Sequence, residues 1–85
     1  MPGSEVAVDV NVVQVLFQEA IDKHQQGDLS GAEEGYRCLL DQVSDHPAAV
    51  YNLGLVCYEQ ERFAEAAANY AQAATLAPED PDIWY

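Results

Sequence analysis

Basic residues are nearly missing from this chain: Lys23, Arg37 and Arg62 stand against fifteen acidic residues, for a formal net charge of −12 over 85 residues. Without a cationic surface to neutralise phosphates or dock on anionic lipid, nucleic-acid binding and membrane-surface binding are not expected. Long apolar runs are missing as well, and nothing approaches the ~20 residues that span a bilayer. The opening MPGSEVAVDV has neither the basic stretch nor the unbroken apolar core of an export signal. These absences predict a soluble, unexported, cytoplasmic chain.

Cysteine is scarce too. Cys38 and Cys57 could form one bridge, but both fall inside helical patterns and neither has a CxxC partner, so two free, buried thiols are expected. The chain has no GxSxG, no glycine-rich phosphate loop and no HExxH, and it lacks a long loop that could serve as a lid. His24 and His46 are the only histidines and are expected to be exposed. The acidic pairs Glu33-Glu34 and Glu79-Asp80 are expected to be solvated, because side chains adjacent on a helix do not converge on one point. No enzymatic activity, metal or cofactor is therefore expected.

What is present is repetition. Shifted by about 34 residues, the sequence overlays itself without a gap. Leu16 falls on Val50 and Trp84, Phe17 on Tyr51 and Tyr85, Ala20 on Gly54, Ala32 on Ala66, Tyr36 on Tyr70 and Pro47 on Pro81. Within each period apolar residues recur at three- and four-residue intervals, which predicts helices near 10–26, 29–43, 47–60 and 63–76 and the first turn of a fifth after Pro81. Gly27 can take a left-handed C-cap and Asp28 can N-cap the helix that follows; the corresponding turn Gln60-Glu61-Arg62 has no glycine and should be less comfortable. His46-Pro47 and Asp80-Pro81 mark helix starts, since proline at the first helical position loses no useful N–H. The expected core is Leu16, Ala20, Ala32, Tyr36, Leu39, Leu53, Gly54, Ala66, Tyr70 and Ala73, with the small residues where helices cross.

The second period carries Val50, Leu53, Gly54, Cys57, Ala66, Tyr70, Ala73 and Pro78 at the positions that define a tetratricopeptide repeat, with Val50 and Cys57 departing from its usual aromatics. The first period holds Leu16, Glu19, Ala20, Lys23, Ala32, Tyr36, Leu39 and Ser44 there, and Trp84 takes the signature tryptophan place of a third. The chain thus resembles the tetratricopeptide repeat family. The resemblance implies an all-α fold of antiparallel helix-turn-helix repeats stacked as a short right-handed α-solenoid. Its domain would cover 10–85, with repeats at about 13–46 and 47–80, the start of a third at 81–85, and a flexible segment at 1–9.

The implied function is a protein-interaction scaffold that binds a peptide or protein segment on the concave face made by the first helix of each repeat. Transferred by register, that face offers Phe17, Ile21, His24, Tyr51, Asn52, Leu55 and Tyr58 for ligand binding, alongside Gln14, Gln18, Gln25, Ala48 and Glu59. Phe17 and Tyr51 have an alternative use, packing neighbouring helices or being covered by Val6 to Val10. The clamp with which some members of the family hold acidic chaperone tails is missing: Phe17 and Ile21 replace its first Lys and Asn, and Asp82 stands where a later Lys is needed, although Asn52 matches. A hydrophobic or basic partner is therefore expected over an acidic one, with weak self-association possible through the C-terminal edge around Trp84 and Tyr85. The phrasing "GAEEGYRCLL" then "HPAAVYNLGL" also resembles bacterial arrays that precede transferase domains. It leaves open an alternative role as an assembly module N-terminal to a catalytic domain.

Overall fold

The computed structural model describes residues 10–76 and contains four helices: α1 (Val10–Gln25), α2 (Leu29–Gln42), α3 (Pro47–Glu59) and α4 (Phe63–Leu76). Each predicted helix is present, with ends shifted by at most a residue. The segment 1–9 and the start of a third repeat at 81–85 lie outside the described residues. Helix α1 packs on α2 and α3 on α4, making two hairpins, and α2 packs on α3 to stack one hairpin on the other.

Local chemistry sets the helix ends. Gly27 takes a positive φ of 84°, and the Asp28 carboxylate then accepts the Gly31 N–H at 2.9 Å, capping α2. The glycine-free turn adopts the same shape at a cost: Glu61 has φ 65°, a left-handed conformation unfavourable for a residue with a Cβ. Pro47 opens α3, and the Ala49 N–H donates to His46 Nδ1 at 3.1 Å. His46 is thus a half-buried N-cap and not the exposed residue expected, and this bond places its neutral-ring proton on Nε2.

One core runs through both hairpins, built from Ala20, Ala32, Tyr36, Leu39, Ala49, Leu53, Val56, Cys57 and Ala66. Val50 and Ala73 form a smaller cluster, against which Leu40, Tyr51 and Leu76 pack. Sandwiched between α2 and α4, α3 buries Ala49, Val50, Leu53, Gly54, Val56 and Cys57, so it is apolar on two sides and not along a single stripe. Of the expected core, Leu16 and Tyr70 are only half-buried; among the described helices α4 packs mainly on α3 and α1 mainly on α2. Cys57 is buried as expected, with its thiol pKa pushed up by burial, whereas Cys38 lies on the exposed side of α2; both are free.

The crossings use glycine on opposite partners. A Cβ on Gly54 of α3 would stand 2.8 Å from the Tyr70 ring and 3.2 Å from Asn69 Cβ of α4. In the first hairpin Ala20 of α1 has the methyl and Gly35 of α2 lacks it; a Cβ there would lie 2.9 Å from Ala20 Cβ. Gly35 and Asn69 occupy equivalent places in the two periods, so each hairpin keeps one glycine at its closest approach.

Candidate functional site

Helices α1 and α3 carry the residues expected to line the concave face, and the structure sorts them by what they touch. Phe17 is half-buried, with its ring 5.0 Å from that of His46 and 6.2 Å from that of Tyr36. It pins α1 to α2 and to the connection that leads into α3. Ile21 is half-buried and also packs against the core, whereas Leu55 is half-buried on α3. Tyr51 lies with its ring 5.3 Å from Tyr70 of α4. Tyr58 is 56% exposed and meets the 55% exposed Phe63 edge to face at 5.2 Å.

Two polar contacts join the hairpins on this side. His24 was expected to be exposed, but its side chain is largely covered. Its Nε2 lies 3.1 Å from Glu59 Oε1, and its ring edge meets Tyr36 at 6.4 Å. Asn52 is half-buried beside the Tyr36 hydroxyl. That hydroxyl is fully buried and makes no hydrogen bond of regular geometry among the described residues. Burial pushes its pKa up, the Asn52 amide works against that push, and the Glu59 charge adds to it. Gln14, Gln18 and Gln25 stand in solvent on α1, with Gln18 Nε2 donating to Asp22 at 3.0 Å.

Glu33, Arg37, Arg62 and Glu65 form a separate cluster of paired charges. Arg62, between α3 and α4, grips Glu33 of α2 with both terminal nitrogens, at 2.8 and 3.0 Å, and also bonds Glu65 and Gln60. Glu33 accepts from Arg37 as well, at 2.9 and 3.0 Å. Donation from Arg62, and less from Arg37, holds the Glu33 carboxyl down at about 2, against the desolvation that partly opposes it, and the accepting carboxylates of Glu33 and Glu65 raise the already high Arg62 value. Two of the three cations in the sequence are thus committed to this cluster. Among the described residues no three His, Cys, Asp or Glu gather into a set that could hold a metal ion.

Sequence reasoning missed Phe63 as a surface aromatic. It occupies the place of Leu29, which packs against the core, yet it stands exposed and meets Tyr58. The His24–Glu59 pairing was also missed; both residues stood on the expected face, but only the stacking of hairpins brings residues of α1 and α3 together.

Two helix hairpins stacked through a continuous core define a short helical-repeat scaffold. The family model of the tetratricopeptide repeat matches residues 17–81, and the chain belongs to that family. No curated protein matches the chain. Repeats of this family generally serve as non-catalytic scaffolds for binding other proteins or peptides. No helix among the described residues is long and apolar enough to cross a membrane.

Proposed function

We propose that the face made by α1 and α3 binds a protein segment that combines apolar side chains with basic ones. What supports this reading is that Ile21, Tyr51, Asn52 and Leu55 are half-exposed and Tyr58 is exposed at the places the repeat register assigns to that face. Aromatic and aliphatic groups left partly in water supply contact area to a partner, and the Asn52 amide can both donate to and accept from a peptide backbone. Phe17 and His24 are assigned to positioning that face, since their rings are already engaged with Tyr36, and His24 is tied to Glu59.

Charge favours the basic partner. With Arg37 and Arg62 bound to Glu33, Lys23 is the one remaining cation of the described residues, against Glu59 and Glu61 at the Tyr58 end. An acidic tail would meet repulsion there, whereas a lysine or arginine would be drawn in.

The test is a titration of the isotope-labelled chain, following backbone amide shifts, with three synthetic peptides: leucine- and phenylalanine-rich with lysine flanks, the same core with neutral flanks, and an acidic tail. The lysine-flanked peptide should bind most tightly, with shifts clustered on α1 and α3. Strongest binding by the acidic peptide, or shifts confined to α2 and α4, would overturn the reading.

A further inference from the structure

The tip where α3 turns into α4 sets two aromatic rings in water. Tyr58 and Phe63 are each more than half exposed, and their rings meet at 70° with centroids 5.2 Å apart. The turn fixes the backbone between them, since the Glu61 N–H donates to the Tyr58 carbonyl at 2.9 Å and the Arg62 N–H to the Cys57 carbonyl at 2.8 Å. Two rings at this angle present π-faces on two sides of one corner. In the first hairpin the same two places hold His24 and Leu29, one tied to Glu59 and the other packed on the core, so no such corner forms there. The surroundings of the corner are negative. Glu61 lies in the turn between the rings and pairs with no cation among the described residues, and Glu59 follows Tyr58 with its side chain half in water. Arg62, the cation next to Phe63 in sequence, is turned away, with both terminal nitrogens on Glu33. Tyr70 of α4 registers this field: burial pushes its hydroxyl pKa up, and Tyr51, Tyr58 and Glu59 add to the push. Surroundings that resist one more negative charge favour a positive one.

We propose that this corner takes an arginine side chain of the partner protein, with the guanidinium against the Tyr58 and Phe63 rings and its N–H edge turned to Glu61. The proposal rests on the reading that the face of α1 and α3 binds a basic, apolar segment, and it adds where the basic residue sits and which one it is. A guanidinium is planar and more weakly hydrated than an ammonium, so it lies flat on a ring while its edge still donates to a carboxylate. A lysine brings only a compact, strongly hydrated charge, and an acidic side chain is repelled by Glu59 and Glu61. A second copy of this chain is a poor donor, because Arg37 and Arg62 are both held by Glu33. The arginine therefore comes from a different protein.

The test uses the labelled full chain and three peptides that share one leucine- and phenylalanine-rich core and carry flanks of arginine, lysine or citrulline, the last keeping the planar shape without the charge. The arginine peptide should bind roughly two- to fivefold more tightly than the lysine peptide, and the citrulline peptide should bind most weakly. The arginine side-chain methylenes should show nuclear Overhauser contacts to the Phe63 ring. Phe63→Leu, which installs the residue of the equivalent place in the first hairpin, should bring the arginine and lysine affinities together while helical circular dichroism is kept. Should that variant fail to fold, the Overhauser contacts in the parent chain decide alone. Equal binding of the arginine and lysine peptides, an arginine preference that survives Phe63→Leu, or a missing contact to Phe63 would each overturn the proposal; with shifts still on α1 and α3, the binding face itself would stand. No binding by any of the three peptides would overturn both.

Discussion

At the scale of single residues, the spacing of the hairpin helices turns on where one methyl group is allowed. Gly35→Ala should gain about 1 kcal/mol of helix propensity. Against that, its new Cβ meets Ala20 Cβ at 2.9 Å and Ala20 Cα at 3.3 Å, atoms that cannot rotate away. The helices must part, and overpacking of this kind costs roughly 1–3 kcal/mol. We expect net destabilisation in urea unfolding. Adding Ala20→Gly should recover part of it, recreating the arrangement at Gly54, with a coupling above about 0.5 kcal/mol between the two sites. Additive losses would mean that the two positions do not share the crossing. Glu61 gives the converse case: at φ 65° a glycine is more comfortable, so Glu61→Gly should raise stability by roughly 0.5–1 kcal/mol. Gly27→Ala has open space around it and should lose a similar amount through strain alone. A destabilised Glu61→Gly variant would contradict the assignment of strain to that turn.

Between elements, the Glu33–Arg62 fork is the strongest polar tie, joining α2 to the turn that starts α4. The folded Glu33 carboxyl titrates at about 2 against an ordinary 4.5, so the fork's contribution is fully present above 4.5 and is lost as pH falls from there toward 2. Neutralising the many other carboxylates over the same range relieves repulsion and works in the opposite direction. The informative quantity is thus the stability difference between the parent chain and Glu33→Gln. We expect it to be roughly 1–2 kcal/mol near neutral pH, after allowing for solvent at a partly exposed site, and to shrink toward zero near pH 2. A difference that does not change with pH would show that the fork adds nothing beyond packing. Sequence signals covered the elements well because their causes are local: helical spacing, the glycine at 27, the carboxylate at 28 and the proline at 47 act on their own neighbours. They did not cover the fork, the His24–Glu59 contact, the capping role of His46 or the exposure of Cys38 and Phe63. Those depend on which helix lies opposite. On the candidate face, the aromatic positions could be read from the sequence, but not the division between rings engaged in packing, such as Phe17, and rings left in water, such as Tyr58.

For the whole molecule the dominant fact is a net charge of −12, with two of its three cations drawn into one cluster. Like charges spread over so small a body repel, and added salt screens them within a Debye length of about 10 Å at 0.1 M. Screening should raise the melting temperature as sodium chloride goes from a few millimolar to roughly 0.15 M, after which a surface limited by repulsion alone gains little more. An acidic surface adapted to concentrated brine would behave differently, with stability still climbing through molar salt. The same titration acts with opposite sign on a steered partner: association with the lysine-flanked peptide should slow as salt rises, while binding of the neutral-flanked peptide stays nearly constant. Measuring the melting temperature and both association rates across one salt series separates the two accounts of the acidity. An early plateau in melting temperature together with salt-weakened binding of the basic peptide is the expected pattern. A continued rise in stability through molar salt, with basic and neutral peptides equally insensitive, would mean that the charge serves solvation and that the partner is recognised by its apolar side chains alone.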